Sequence, residues 1–533
     1  MSTSDTTVII ELCKIFGWTT PATVLVSEMH LKSPPLPISK ARSDLAFKKT
    51  YPALFGLFSN SYLPSNVKIV GYARSHIDLP DFRARVSSKI KTTKTEALES
   101  FLSICTYVSG KYDDTASFVV LNSFVETLEA QAGGSIDDEF RKTRIFYMAL
   151  PPSVFIPASK GLKEGCYLGK GGKNRLIVEK PFGKDLASSL ELGRALAANW
   201  KEEEIYRIDH YLGKEMVKSL MVLRFANVFF GSIWNRHYIN NVQITFKEKF
   251  GTDGRGGYFD EFGIIRDELK LTLPKKNVQI MQNHLLQVLT ILAMERPVSL
   301  DAEDVRNEKV KVLRAVKPIT LEDTILGQYT ASAEKNEPGY LDDPTVPKGS
   351  VTPTYAAHVL NISNERWDGV PFILKAGKAL NESKVEIRIQ FNDPAGGLYP
   401  GTKRNELVIR LQPKEAVYAK MMNKEPGLST DLHVTELDLS YEKRYKDAKI
   451  PDAYESLILD CLRGDHANFV RDDELELAWK IFTPLLHKIE GEKVQPEFYE
   501  FGSRGPAAAK EFIERHGFQR DSTYKWIPHA PHL

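Results

Sequence analysis

One short stretch of the chain, from Arg207 to Glu215, contains four kinds of side chain that can bind or act on a small molecule. It reads RIDHYLGKE and places a carboxylate, an imidazole, a phenol and an ammonium close together. His210, Tyr211 and Lys214 can donate hydrogen bonds to an oxyanion, and bonds from charged donors are the strong ones. Asp209 can orient a histidine that lies elsewhere in the chain. The stretch predicts a pocket for a phosphorylated, hydroxyl-rich molecule; the alternative is a solvated charged turn.

Short apolar runs alternate with helical patterns in the first part of the chain. Strands are predicted over residues 6–12, 68–73, 144–150 and 175–179. Helices are predicted over residues 94–108 and 188–196. Strands that alternate with helices imply a parallel sheet with crossover connections. We therefore expect an α/β, nucleotide-binding type of domain over residues 1–205.

After residue 205 the pattern changes to alternating strands without regular helices between them. Strands are predicted over residues 241–247, 385–391, 407–412, 417–421 and 432–439. Helices are predicted over residues 216–225, 281–294 and 452–462. Such strands indicate a large, mainly antiparallel sheet with one face covered. The predicted fold class is therefore α/β followed by α+β, with the second domain over residues 206–533.

The composition is typical of a globular protein in a reducing compartment. Of the 533 residues, 42% are hydrophobic and 26% are charged, and the formal net charge is +2. This charge, without Lys/Arg runs, argues against a nucleic-acid binder. The four cysteines form no CxxC pair, which argues against a zinc site or a disulfide scaffold. No run reaches the roughly 18 apolar residues of a membrane span, so we expect a cytoplasmic protein without metal, nucleic-acid or membrane partners.

Further motifs occur in one order along the chain. They are IVEKPFG at 177–183, FKE at 246–248, GTDGRGGYFD at 251–260, KAGKALNE at 375–382, NELVIR at 405–410 and GSRGP at 502–506. With the stretch at 207–215, they resemble eukaryotic members of the glucose-6-phosphate dehydrogenase family from about Asp44 to the C-terminus. The resemblance implies a Rossmann-like NADP-binding domain followed by a larger α+β domain. It also implies hydride transfer from C1 of glucose 6-phosphate to NADP, the entry to the pentose phosphate pathway.

The resemblance assigns roles in the substrate site. His284 matches the base that takes the C1 hydroxyl proton, and Asp209 matches its carboxylate partner. A histidine suits this task because its pKa lies near neutrality; the alternative for His284 is a core histidine. The residues that match phosphate ligands are His210, Tyr211 and Lys214. The residues that match ligands near the sugar are Lys180, Glu248, Asp267 and Lys378.

The resemblance also implies coenzyme contacts, at Asp44, Arg74, Tyr147 and Lys180. Arg74 follows the second predicted strand, where a guanidinium can hold the 2′-phosphate of NADP; its alternative is a surface arginine. Tyr147 is expected on the nicotinamide side. Eukaryotic members bind a second, structural NADP, and the matching residues are Lys384, Arg388, Arg410, Tyr418, Arg504 and Trp526. Cations with aromatic stacking suit a dinucleotide, although Ser383 and Arg520 replace an arginine and a tyrosine that are common there.

Two segments interrupt the family pattern at functional turns. In the family the first strand runs into a glycine-rich loop, which lets the backbone approach a pyrophosphate. Here residues 13–39 intervene, and residues 40–43 read KARS, without glycine. Residues 268–279 separate Asp267 from His284 and include a helix-breaking proline. We therefore expect impaired coenzyme binding if both segments are present in the folded chain.

Three hypotheses account for these segments. They are non-coding sequence retained in the gene model of an active enzyme, features of an impaired homologue that binds sugar phosphate, or features of a structural subunit in a hetero-oligomer. The presence of Asp209, Lys214 and His284 favours the first. An impaired homologue would bind glucose 6-phosphate but not NADP at the first site, and a structural subunit would bind neither. The family resemblance further implies a homodimer or homotetramer.

Overall fold

The first sheet is fully parallel and has the strand order β3-β2-β1-β4-β5-β6. The structure, a computed structural model, describes residues 7–13, 45–131, 142–266, 280–428, 430–446 and 448–520. The strands of this sheet are β1 (Thr7–Cys13), β2 (Lys68–Ala73), β3 (Cys105–Ser109), β4 (Thr143–Ala149), β5 (Lys173–Val178) and β6 (Ile205–Arg207). The order reverses between β1 and β4, so a crevice forms there at the carboxyl ends of the strands. The predicted α/β fold is confirmed.

Helices cover both faces of this sheet. They are α1 (Tyr51–Ser59), α2 (Leu79–Ser87), α3 (Thr95–Ser103), α4 (Thr115–Gln131), α5 (Phe155–Gly165) and α6 (Leu186–Ala197). The predicted helix over 94–108 is wrong at its C-terminal end, where residues 105–108 belong to β3. The CTYVS sequence of β3 is rich in β-forming residues, and pairing with β2 outweighs the apolar pattern that suggested one long helix.

The second sheet has nine strands in the order β14-β13-β12-β11-β7-β10-β9-β8-β15. These strands are β7 (Ile239–Lys247), β8 (Thr324–Thr330), β9 (Tyr355–Asn361), β10 (Pro371–Gly377), β11 (Lys384–Phe391), β12 (Glu406–Gln412), β13 (Ala416–Lys424), β14 (Leu432–Ser440) and β15 (Glu497–Glu500). Most neighbours are antiparallel, as predicted, but β7 pairs with β10 and β8 with β15 in parallel. The parallel β7–β10 pair matters for the site, because it brings the carboxyl ends of both strands to one edge.

Helices pack on the second sheet and between the two domains. They are α7 (Glu215–Phe225), α8 (Val228–Ile233), α9 (Gly256–Asp260), α10 (Leu286–Ala293), α11 (Ala302–Ala315), α12 (Tyr441–Arg444), α13 (Ala453–Arg463), α14 (Asp472–Gly491) and α15 (Ala507–Arg515). α13 packs on α1 of the first domain, and its Leu457 and Ile458 are buried in that domain's core. None of the described helices is long and apolar enough to cross a membrane.

Several sequence predictions lie outside the described residues. They concern residues 14–39 of the first interrupting segment, whose Cys13 ends β1, all of the second segment, 268–279, and the residues Asp44, Asp267 and Trp526. The domain boundary at residue 205 stays a proposal, since the first sheet ends at Arg207 and the second begins at Ile239.

Candidate active site

Asp209, His284 and Lys180 meet in one buried cluster. His284 Nδ1 lies 2.5 Å from Asp209 Oδ1, and His284 Nε2 lies 3.0 Å from Lys180 Nζ. The side chains of His284 and Asp209 are 0% and 1% exposed. Asp209 Oδ1 also accepts a hydrogen bond from the backbone N–H of Tyr211, over 2.9 Å. The cluster joins three segments that are far apart in sequence.

The topology explains why these residues meet. Lys180 and Asp209 follow β5 and β6, which are adjacent parallel strands, so both residues lie at the same edge of the first sheet. His284 lies in the π-helical turn Met281–Leu285, which leads into α10 and packs against β7 and β10. The histidine is therefore supplied by the second domain and its carboxylate partner by the first sheet.

The charge states of the pair follow from burial and from neighbouring charges. Burial alone would raise the pKa of Asp209, but His284, Lys180 and the backbone N–H hold that pKa well below its ordinary value. Burial lowers the pKa of His284 to about 4, with Lys180 acting in the same direction and Asp209 against it. At neutral pH the histidine is thus neutral beside an ionised carboxylate. Because a carboxylate can only accept, Nδ1 carries the proton and Nε2 presents a lone pair.

A pocket of about 470 Å³ opens beside this cluster and contains the three predicted phosphate ligands, His210, Tyr211 and Lys214. The ring of Tyr211 stacks on His284 with centroids 4.1 Å apart, and the His210 ring lies edge-on at 4.5 Å. Lys214 Nζ donates to Gln412 Oε1 over 2.8 Å. His284 itself does not line the pocket; it is buried directly behind the rings of His210 and Tyr211, two of the predicted phosphate ligands.

Two buried polar atoms of the pocket residues suit a ligand that can accept or donate hydrogen bonds. Among the described residues, His210 Nδ1 and the Tyr211 hydroxyl are buried without a hydrogen-bond partner. Burial raises the pKa of Tyr211 well above its ordinary value, and the nearby Glu248 adds to that shift. Tyr211 therefore stays a phenol, which can donate its proton to an oxyanion.

Sequence reasoning missed three further residues of this pocket. Lys49, Gln412 and Tyr454 also line it, and they come from the turn before α1, from β12 and from α13. Lys49 Nζ lies 3.2 Å from Asp452 Oδ2 and 5.8 Å from the ring centroid of Tyr454. Each belongs to an ordinary helical or strand pattern, so only the packing of α13 on α1 reveals them.

Lys378 and Glu248, both predicted to lie near the sugar, form a second buried pair. Lys378 Nζ lies 2.6 Å from Glu248 Oε2, and their side chains are 1% and 6% exposed. They directly follow β10 and β7, the parallel pair in which Gly377 is opposite Lys247. This register places both side chains at one strand edge, next to the turn that carries His284.

Those predicted coenzyme contacts that the structure describes, Arg74, Tyr147 and Lys180, lie along the carboxyl edge of the first sheet. Arg74 directly follows β2 and is exposed, with its guanidinium 5.5 Å from the ring centroid of Tyr112. Tyr147 is buried in β4, and its hydroxyl donates to Glu179 Oε1 over 2.5 Å. Burial raises the pKa of Glu179 to about 7, while the Tyr147 hydrogen bond and the charge of Lys180 oppose that rise. The other carboxyl oxygen of Glu179 has no partner within the described ranges.

This edge fits a phosphorylated dinucleotide at both ends. Arg74 lies exposed directly after β2, on the side of the crevice where the adenosine half of a dinucleotide binds. Its guanidinium therefore suits a 2′-phosphate. Near Lys180, at the other side, the unpartnered oxygen of Glu179 suits a carboxamide donor. Glu179 lies within the motif IVEKPFG, which by itself indicates no role for it; its burial beside Tyr147 is what singles it out.

A second pocket, of about 490 Å³, lies on the nine-stranded sheet. It is lined by five of the six residues predicted for a structural NADP, namely Lys384, Arg388, Arg410, Tyr418 and Arg504. Its eight basic side chains outnumber three acidic ones; the other basic residues are Lys247, Lys375, Lys420 and Arg520. Ser383 does not line it and instead accepts from the backbone N–H of Lys249. The excess of positive charge suits a ligand with several phosphate charges.

Family models and relatives cover most of the chain. The model described as "Glucose-6-phosphate dehydrogenase, NAD binding domain" matches residues 38–219, and "Glucose-6-phosphate dehydrogenase, C-terminal domain" matches residues 221–527. A glucose-6-phosphate 1-dehydrogenase from Emericella nidulans is 58% identical over 492 residues, 91% of this chain and 92% of the relative. One from Dictyostelium discoideum is 54% identical over 493 residues, 92% of this chain and 96% of the relative.

Solved structures agree with this assignment. A glucose-6-phosphate dehydrogenase in complex with glucose-6-phosphate matches with a TM-score of 0.86 at 47% identity, covering 98% of this chain and all of the other. The Mycobacterium avium glucose-6-phosphate 1-dehydrogenase matches with a TM-score of 0.76 at 30% identity, covering 99% of both chains. The matched models, the identities and the shared fold agree along nearly the whole sequence, so this chain belongs to the glucose-6-phosphate dehydrogenase family.

Proposed function

We propose that this chain oxidises glucose 6-phosphate at C1 to 6-phosphoglucono-1,5-lactone while NADP is reduced to NADPH, the first step of the pentose phosphate pathway. The observation that carries the proposal is the buried Asp209–His284 pair, whose basic nitrogen lies beside a pocket with His210 and Lys214. An oriented neutral imidazole next to the Lys214 ammonium, and next to His210, whose pKa burial lowers well below its ordinary value, suits deprotonation of a phosphorylated sugar.

In the proposed reaction the C1 hydroxyl loses its proton and C1 loses a hydride. His284 Nε2 takes the proton of the C1 hydroxyl, since the ring is neutral and its lone pair, to which Lys180 Nζ donates in this structure, is freed when that ammonium turns to the C1 oxygen. Asp209 fixes the tautomer and stabilises the imidazolium that forms, because its ionised carboxylate accepts from Nδ1–H. Arg74, Tyr147 and Lys180 would hold NADP at the edge of the first sheet, and the coenzyme would supply the acceptor for the hydride of C1. Lys180, 3.0 Å from Nε2, can donate to the developing charge on the C1 oxygen.

The remaining residues orient the sugar. Lys214, His210 and Tyr211 are proposed to hold the 6-phosphate, with Lys49 and Gln412 beside them. Glu248 and Lys378 are proposed to contact sugar hydroxyls, as is Asp267. Holding both ends of the substrate would keep C1 at the base, which is how positioning lowers an activation barrier.

Replacing Arg74 with alanine should raise KM for NADP by about 5- to 20-fold, because it removes a charged hydrogen bond to the 2′-phosphate. The effect should be modest, since an exposed guanidinium contributes less binding energy than a buried one. NAD has no 2′-phosphate and provides the internal control, so KM for NAD should change less than about twofold. Steady-state rates with both coenzymes measure the effect. Equal losses for the two coenzymes would show that Arg74 does not select the 2′-phosphate.

The pocket on the nine-stranded sheet is proposed to bind a second, structural NADP. Lys384, Arg388, Arg410, Tyr418 and Arg504 supply charge and an aromatic face there. A ligand that binds only the folded state stabilises it, so NADP should raise Tm. The replacement Arg410→Ala should remove most of this increase, whereas Arg74→Ala should leave it in place. If NADP still raises Tm fully in Arg410→Ala as well as in Arg74→Ala, the assignment is contradicted.

We also propose a homo-oligomer, a dimer or a tetramer, built on the edge strand β14. Edge strands offer unpaired backbone groups to a second chain, and the exposed side chains of Met421, Leu437 and Leu439 add apolar surface there. Sedimentation equilibrium of Leu437→Glu should show dissociation, while Leu300→Glu, at another exposed site, should not. A cytoplasmic location is the accompanying proposal, which imaging of the tagged chain tests.

NADPH formation at 340 nm by the purified 533-residue chain, with glucose 6-phosphate and NADP, tests the proposed function. A matched version lacks residues 13–39 and 268–279 and carries Lys40→Gly and Ser43→Gly. Turnover by both supports the function and shows that the two segments do not obstruct it. Turnover by the repaired version alone retains the catalytic assignment and attributes the loss to the segments. No turnover by either, with glucose 6-phosphate still bound, would support the impaired homologue instead.

A further inference from the structure

The turn after β10 holds Lys378 in an unusual backbone conformation. Ala379, the next residue, is fully buried and has φ of 51°, in the left-handed region that residues with a Cβ seldom adopt. Lys378 reaches Glu248 from this turn, with Nζ 2.6 Å from Oε2. A strained turn of this kind persists only where the surrounding structure holds it.

Backbone hydrogen bonds hold most of the turn. The N–H groups of Lys378, Ala379 and Leu380 donate to carbonyls of two other segments, over 3.0, 2.8 and 2.8 Å; the acceptors are Thr354, Phe250 and Glu248. The carbonyl of Ala379 accepts from the N–H of Gly502 over 2.7 Å. The carbonyl of Lys378 accepts from a side chain instead, the hydroxyl of Tyr499, over 2.8 Å.

Tyr499 comes from β15, the outermost strand, 121 residues after Lys378. Its side chain is buried, and its hydroxyl lies 2.9 Å from Thr354 Oγ1 and 3.3 Å from the Thr354 carbonyl. A hydroxyl has one proton to donate, and the shorter carbonyl contact is the one to Lys378. The carbonyl of Thr354 also accepts from the N–H of Lys378 over 3.0 Å. Thr354 thus holds the backbone N–H of Lys378, and Tyr499 holds its carbonyl.

The ring of Tyr499 is fixed by two other tyrosines. It packs against Tyr355 with centroids 5.8 Å apart and against Tyr329 at 6.4 Å. Burial raises the pKa of Tyr499 well above its ordinary value, so the hydroxyl remains a donor across the working pH range. Tyr499 is thus a rigid, permanently protonated support beneath the turn.

We propose that Tyr499 is a positioning residue for substrate binding: its hydroxyl holds the Lys378 carbonyl and so fixes the turn from which the Lys378 ammonium reaches the sugar end of the site. The inference rests on the proposed function, in which Lys378 contacts the substrate. It predicts an effect on substrate affinity and not on proton abstraction, because His284 and Asp209 are held by other elements.

Tyr499→Phe keeps the ring and removes only the hydroxyl. Calorimetric titration of the full chain with glucose 6-phosphate should show Kd raised by about tenfold, the usual effect of one lost hydrogen bond. In chains that turn over, kcat and KM for NADP should stay within about twofold. The matched control is Tyr340→Phe, which removes a hydroxyl bonded to Asp260 in the same ring cluster. It should lower Tm comparably and leave Kd unchanged.

A double-mutant comparison separates positioning from general destabilisation. In a Lys378→Met background, Tyr499→Phe should have no further effect on Kd, since it acts through the ammonium that is already gone. Additive effects, or equal changes in Kd for Tyr499→Phe and Tyr340→Phe, would overturn the proposal. Because Kd is read without turnover, a chain that binds glucose 6-phosphate but makes no NADPH still tests Tyr499 while failing the proposed function.

Discussion

Replacing His284 with asparagine should lower kcat by about 10²- to 10⁴-fold, the range contributed by a general base. Asparagine keeps the polarity and most of the volume but has no basic nitrogen. Affinity for glucose 6-phosphate should change little, because Lys214, Glu248 and Lys378 remain. The measurement is single-turnover NADPH formation, together with a calorimetric Kd for the substrate.

His358→Asn is the matched control for this substitution. His358 is also fully buried, and its Nδ1 lies 2.9 Å from Thr324 Oγ1 on the second sheet. Its replacement should lower Tm while leaving kcat within about threefold. If both variants lose kcat equally, the effect is one of folding, and His284 is not the base.

The pH dependence of the parent chain gives an independent check on His284. Burial and Lys180 lower the pKa of its imidazole to about 4, so the base form persists down to acidic pH. The acid limb of kcat/KM, which reports the free enzyme, should therefore lie below the value of about 6.5 of a solvent-exposed histidine. Glucose is the substrate to use for this profile, since it carries no phosphate that titrates near the same pH.

Lys214→Ala should raise KM for glucose 6-phosphate by about 10- to 150-fold, the effect of losing one hydrogen bond to a charged group. Lys214 lines the pocket beside the unpartnered atoms of His210 and Tyr211, so its ammonium supplies much of the local positive charge. Glucose, which lacks the phosphate, should be oxidised at the same slow rate by parent and variant.

Lys218→Ala, one helical turn further along α7, is the control for this charge. Lys218 pairs with Asp460 over 2.7 Å and does not line the pocket. Its removal should lower Tm without changing KM. A parallel loss of kcat/KM for glucose and glucose 6-phosphate in Lys214→Ala would mean that Lys214 supports the fold and does not bind the phosphate.

Local elements were predictable where side-chain periodicity is strong. The strand predicted over 68–73 is β2, Lys68–Ala73, and the helix predicted over 188–196 is α6, Leu186–Ala197. Prediction failed where a local pattern fits two structures, as in 94–108, since pairing with β2 decides that Cys105–Ser109 is a strand. The four-residue β15 carries too little pattern to be recognised alone, although it supplies Tyr499.

Motifs predicted many residues of the candidate site, but they did not predict all the residues that line its pocket. The signature at 207–215 indicated the phosphate ligands, and the family resemblance indicated His284 and Lys378. Lys49, Gln412 and Tyr454 have no signature, and they join the pocket because α13 packs on α1 and β12 ends nearby. The roles of all these residues remain predictions, and Asp44, Asp267 and Trp526 also lie outside the described residues.

By itself, the sequence determined the chemical inventory, the order of the motifs and hence the family. The tertiary structure alone decided which groups meet. Asp209 and His284 are 75 residues apart, and Lys180 and His284 are 104 apart, yet they form one hydrogen-bonded cluster. Periodicity reports only which face of a helix or strand is buried. The residues that follow β5, β6, β7 and β10 come together because of the order and direction of these strands. Strand order and direction depend on non-local pairing, which no short stretch of sequence encodes.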